Sequence, residues 1–133
     1  MKFKLLFITA LFYCLSFGQA NEKITTIQTV EILNGNTEEA IYYFENNWKQ
    51  LRIMAINKNY IDSFQLLKST FSDESPFHLI LITTYSNKNQ YDQREKNFTE
   101  LIKEKGDLKL LNDKVPSEFR KSAFVVEGAA HLE

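Results

Sequence analysis

The segment that most constrains this chain is Phe77-His78-Leu79-Ile80-Leu81-Ile82-Thr83-Thr84-Tyr85. It is rich in β-branched and aromatic residues, follows the turn-like Ser72-Asp73-Glu74-Ser75-Pro76, and reads as a strand. It does not alternate between apolar and polar. Phe77, Leu79 and Leu81 point to one face, Ile80 and Ile82 to the other. A strand apolar on both faces belongs in a sheet covered on both faces, so the chain must supply two covering layers or borrow one from a partner. Which face meets the chain's own helices is open at this level, and the answer decides whether His78 or the set Phe77, Leu79, Leu81 and Tyr85 sees an internal pocket.

At 133 residues the chain is long enough for one domain, and its 44% hydrophobic content is enough for a core. A formal charge of −1, without a basic cluster, gives no footprint for nucleic acid or for an anionic membrane. The N-terminus is different. Met1-Lys2-Phe3-Lys4 is a short basic region, Leu5–Phe17 is an apolar stretch, and Gly18-Gln19-Ala20 has small residues where a cleavage site needs them. Residues 1–20 read as a secretory signal peptide cleaved after Ala20, and 21–133 as one exported domain, secreted or periplasmic and with no membrane span of its own. Its removal takes Lys2 and Lys4, leaving 14 basic against 17 acidic residues, a net charge of −3, and takes the single cysteine, Cys14. The mature domain then has no thiol for a disulfide, a nucleophile or a metal.

Along the mature chain, Ile24–Leu33 reads as a strand, Asn34-Gly35 as a turn, and Asn36 with Glu39 as a capping-box-like helix start. The following helix runs to about Lys58, with Ile41, Phe44, Trp48, Leu51 and Ala55 on one stripe broadened by Tyr43, Met54 and Ile56. Tyr60–Ser69 reads as a second strand, hairpin-linked to the central one. Asn87 caps a second helix with Gln90 at its third position, and Tyr91, Arg94, Phe98, Leu101, Ile102 and Lys105 share one side up to Gly106. Pro116 opens a short helical turn, and Ala123–Val126 reads as a fourth strand. The order β-α-β-β-α-β, with right-handed crossovers, places two helices on one face of an antiparallel sheet and leaves the other face bare. A bare apolar face of this kind is an interface, here with a second copy.

The strand order resembles the dimeric α/β-barrel superfamily of ferredoxin-like domains, the group of the antibiotic-biosynthesis monooxygenase-like and stress-responsive barrel families. The likeness spans roughly Ile24 to Ile102. It is carried by the helix stripe through Phe44 and Trp48, by Tyr60-Ile61-Asp62-Ser63-Phe64-Gln65-Leu66-Leu67, and by the apolar strand running into Thr84-Tyr85. The resemblance implies an α+β barrel dimer and permits a cofactor-independent monooxygenase, in which His78 serves as base and Trp48 and Arg52 position the substrate.

The residues themselves leave alternatives open. His78 is either a core histidine or a pocket acid/base. Trp48 and Arg52, one turn apart, are either core and snorkelling cation or the wall and anion anchor of a pocket between helix and sheet. Tyr85, Tyr91 and Arg94 either rim the same cavity or form a helix start. The two mature histidines, His78 and His131, fit no metal-ligand spacing, and the four isolated glycines form no phosphate loop. Neither a metal nor another cofactor is expected. Three functions stand side by side: an exported homodimer binding a small apolar or aromatic ligand, a monooxygenase-like enzyme, and a protein-interaction module.

Overall fold

The structure, a computed structural model, describes residues 22–132. The expected signal peptide and Cys14 lie outside the described residues. The elements are β1 (Ile24–Ile32), α1 (Thr37–Tyr43), a π-helical turn (Phe44–Trp48), α2 (Lys49–Asn57), β2 (Ser63–Lys68), β3 (Leu79–Tyr85), α3 (Lys88–Asp92), α4 (Arg94–Lys105), α5 (Pro116–Phe119) and β4 (Arg120–Ala130). The fold is α+β. Its four-stranded sheet has the order β2-β3-β1-β4 with every pairing antiparallel, compatible with a ferredoxin-like fold. Among the described residues no helix is long and apolar enough to cross a membrane.

The register settles the face left open above. β1 and β3 pair Val30 with Leu79, Gln28 with Leu81 and Ile24 with Tyr85. On that face Val30, Ile32, Leu79 and Leu81 pack with Ala40, Phe44 and Phe119. Tyr85 packs with Ala55, Ile61 and Leu101. Both long helical segments therefore cover the Leu79–Leu81–Tyr85 face. Ile27, Ile80 and Ile82, on the other face, stay half-exposed, and Leu67 and Val126 beside them are more exposed still.

The first helix is not the uninterrupted α-helix that its stripe predicts. At the π-helical turn the amides of Asn46 and Asn47 donate to the carbonyls of Tyr42 and Tyr43, both at 2.9 Å. Side chains that bond to the backbone four residues back compete with regular helix geometry. The turn carries Asn47 inward, to 3% exposure, while Ile56, placed on the stripe by its spacing, is 42% exposed. Asn36 and Glu39 do not form the expected capping box. Asn36 instead donates to the Glu118 carbonyl at 3.1 Å, and both accept from Lys114 Nζ, at 2.7 and 3.0 Å.

Asn87 does cap its helix, accepting from the Gln90 N–H at 2.9 Å. The helix then breaks at Gln93 into α3 and α4. Leu101 is fully buried, but Ile102, expected beside it, is 55% exposed because the next residue of an α-helix sits about 100° further round. β2 is shorter than expected, since Tyr60 caps α2 through its N–H to the Ala55 carbonyl at 2.8 Å. β4 is longer than expected and runs from Arg120 to Ala130 with two register shifts against β1.

Lys58 at the end of α2 clamps Glu100 and Glu104 of α4, at 3.1 and 2.6 Å. The hydrogen bonds from Lys58 and then Tyr60 hold the Glu100 carboxyl below its ordinary value of 4.5. A carboxyl depressed by folding contributes stability above its unfolded pKa and loses it as the pH falls through the folded value. Lys58→Met should therefore flatten the fall in melting temperature as the pH drops below 4.5. Parallel melting curves of the variant and the parent across that range check it; identical slopes would show that the clamp carries no linkage.

Candidate functional site

The cleft between the helices and the β1–β4 half of the sheet holds a largely buried cation, Arg52. It leaves α2 one turn after Trp48 and crosses towards β3, its Nε donating to the Thr83 hydroxyl at 3.3 Å. Its guanidinium carbon is 4.4 Å from the Trp48 ring centroid and 4.4 Å from that of Phe98 on α4. No described carboxylate pairs with it. Burial pushes Arg52 down to about 10, with the neighbouring Tyr85 hydroxyl pulling the other way. It remains a cation at neutral pH, stacked between two rings with its outer nitrogens free for an acceptor.

Arg52 lines a cavity of about 280 Å³ together with Leu51, Phe98, Tyr85, Arg94 and Glu127. Tyr85 is 3% exposed. Burial raises its hydroxyl, against the pull of Arg52 and Arg94. Tyr91 stacks edge-on against Tyr85 at 5.4 Å and lies 4.0 Å beneath the Arg94 guanidinium. Arg94 also donates to the Tyr91 carbonyl at 3.0 Å and reaches Glu127 at 3.4 Å. Four residues singled out from sequence, Arg52, Tyr85, Arg94 and, through its stacking, Tyr91, thus meet at one place. Trp48 lies under Arg52 and faces the adjoining cavity.

His78 is elsewhere. It precedes β3, five residues from Thr83, a distance of about 17 Å along a strand. Its Nδ1 accepts the Ile32 N–H at 2.9 Å, and its ring stacks on Phe71 at 5.0 Å. It does not line the Arg52 cavity, so the acid/base role expected of it has no place there.

Glu127 reaches the cleft because β4 is irregular. The shift in pairing between Thr25 and Ile27 falls at Glu127-Gly128, and Gly128 has a φ of +67°. Such bulges re-aim neighbouring side chains. A Cβ on Gly128 would stand 3.2 Å from the Tyr91 hydroxyl oxygen. Gly128→Ala should cost about 1–2 kcal/mol through left-handed backbone strain, and loosen the Tyr91–Glu127 rim. Urea unfolding measures the first effect, and loss of less than a few tenths of a kcal/mol would place the bulge among the adaptable segments.

Sequence reading missed Phe98 as the second ring over Arg52, and also Glu127 and Arg120. Only Arg94, at the matching end of α4, hinted at a charged rim. The tail carries no local signal either, yet His131 Nε2 lies 2.6 Å from the Thr25 hydroxyl, itself 2.9 Å from the Thr84 hydroxyl, on the sheet's other face. Among the described residues no three His, Cys, Asp or Glu side chains cluster as metal ligands.

No protein-family model and no curated protein matches the chain. Among solved structures, the crystal structure of HapK from Hahella chejuensis is similar, with a TM-score of 0.50 over 80% of this chain and 90% of that one at 10% sequence identity. At that identity the likeness is one of fold.

Proposed function

We propose that this chain is an exported homodimer of the ferredoxin-like, dimeric α/β-barrel kind, and that its helix–sheet cleft binds a small apolar or aromatic molecule carrying an acidic group. The observation that carries the ligand reading is Arg52, held between Trp48 and Phe98 with no described carboxylate partner. Rings that fix a planar guanidinium leave its fork pre-aimed at a carboxylate, and the apolar walls suit the body of an aromatic ligand. Export rests on the apolar stretch Leu5–Phe17 behind two lysines. The homodimer rests on the half-exposed Ile27, Ile80 and Ile82, which a second sheet would cover.

The test is a melting series on the chain from Asn21 onward with aromatic carboxylates, each beside its primary amide. Carboxylates should raise the melting temperature and amides should not, since a ligand that binds only the folded state stabilises it. A panel without any shift would overturn the ligand reading. Equal shifts for acid and amide would remove Arg52 from it. Native mass spectrometry of the same sample should give a dimer, and a clean monomer would sink the face-to-face assembly.

A further inference from the structure

We infer that the cleft reads two acidic groups, so that its ligand is an elongated, mainly apolar molecule with an acid at each end. This rests on the ligand reading above and sharpens it. A second cavity of about 330 Å³ adjoins that of Arg52 and shares Gln28, Leu51 and Ile102 with it. Its one charged lining residue is Arg120, at the start of β4. The Arg120 Nε is buried without a hydrogen-bond partner. Its guanidinium lies 5.0 Å from the Tyr43 ring and 5.9 Å from that of Phe44, and its Nη2 reaches the Tyr43 hydroxyl only at 3.5 Å. No described carboxylate pairs with it.

Two arginines in one cleft are thus held by aromatic rings instead of by acids. A buried donor without an acceptor is an uncommon and costly feature, and it marks Arg120 as a cation that the described chain leaves incompletely satisfied. Between the two cations the shared wall is Leu51 and Ile102, with Gln28 as its polar member. The spacing follows from the helix. Tyr43, the ring under Arg120, precedes Arg52 by nine residues, somewhat less than the roughly 13.5 Å a regular α-helix would rise, because the wider π-helical turn lies between them. Asn47, which also lines the second cavity, has every donor and acceptor already engaged and offers the ligand nothing. At the Arg52 end, Glu127 is held by Arg94 and Tyr91, and Glu95, which also lines the cavity, makes no ion pair with Arg52, so Arg52 stands as the cation no described carboxylate engages. The arrangement is cation, apolar wall, cation, and its complement is acid, apolar body, acid.

Calorimetric titration of the mature chain tests this. The probes are aromatic monocarboxylates, each beside its counterpart bearing a second carboxylate on a linker of increasing length. One linker length should bind at least about tenfold tighter than the monocarboxylate, the scale of one added charge-assisted contact. In Arg120→Met that advantage should vanish. Arg120→Gln, which keeps a polar group near Tyr43, should lose it as well, and circular dichroism verifies that both variants fold. Equal affinity of mono- and dicarboxylates at every length, or an advantage that survives both substitutions, would overturn the second subsite while leaving the Arg52 reading intact. Monocarboxylates that fail to bind at all would overturn both.

Discussion

Asn47→Leu is expected to destabilise the fold by about 3 kcal/mol, roughly ten degrees in melting temperature. Asn47 is 3% exposed and fully engaged. Its amide donates to the carbonyls of Tyr43 at 2.9 Å and Lys109 at 2.7 Å, and its oxygen accepts from the Lys109 N–H and Lys105 Nζ, both at 2.8 Å. It therefore satisfies both backbone groups of Lys109 in a connection that has no regular structure between Gly106 and Val115. Leucine fills the volume but leaves those groups unpaired in a part-buried place, which costs more than the bonds themselves contribute. Asn46→Leu is the control, because Asn46 makes one bond, to the Tyr42 carbonyl, and should lose no more than about 1 kcal/mol. Urea unfolding gives the energies. Hydrogen exchange should also show faster opening over 106–115 in Asn47→Leu alone. Equal losses in the two variants would mean that the connection is anchored elsewhere, through Lys114 on Asn36 and Glu39.

Arg52→Met should do the opposite to the fold and far more to binding. Burial disfavours the charged form of Arg52, so the cation is held at a cost to stability that its two aromatic contacts and its long bond to Thr83 only partly offset. Methionine keeps most of the volume and packs well on rings. The melting temperature should hold or rise, while affinity for an aromatic carboxylate falls about a hundredfold, the scale of losing a bidentate charge-assisted contact. Arg52→Lys should recover little, since an ammonium neither stacks as a plane nor offers a fork. A fall in melting temperature comparable to that of Asn47→Leu would instead make Arg52 a structural residue and remove the reason to see a ligand behind it.

The strand Leu79–Tyr85 was legible because composition and turn signals agree there, and the Asn87 cap because a short polar side chain three residues before Gln90 has one obvious use. The π-helical turn was not. Phe44, Trp48 and Leu51 fit an α-helical stripe, and the one sign of irregularity was an Asn46-Asn47 pair in a helix interior, where such side chains compete for the backbone. The same turn hid Asn47 as a buried polar post. The sequence signal of β4 is shorter than the strand because Arg120, Lys121, Ser122 and Gly128 dilute its apolar character, while its place beside β1 comes from long-range pairing that no local window contains. In the site, Trp48 and Arg52 announced themselves by helical spacing. Phe98 and Arg120 come from α4 and β4, and only the fold brings them to the same cleft.

The two irregularities of β4 also bear on what its outer margin offers another chain. β4 is the longest strand and lies at the margin of the sheet, bonded to β1 on one side. A straight margin of eleven residues would offer passing chains a continuous ladder to zip onto, the first step towards a fibre. Here the ladder is broken twice, near Phe124 and at Glu127-Gly128, so that no unbroken run is long enough for a stray strand to gain a firm hold. The other margin, β2, is six residues long and ends in Lys68. The bulge that turns Glu127 towards the cleft thus also interrupts the border along which a further strand would have to pair.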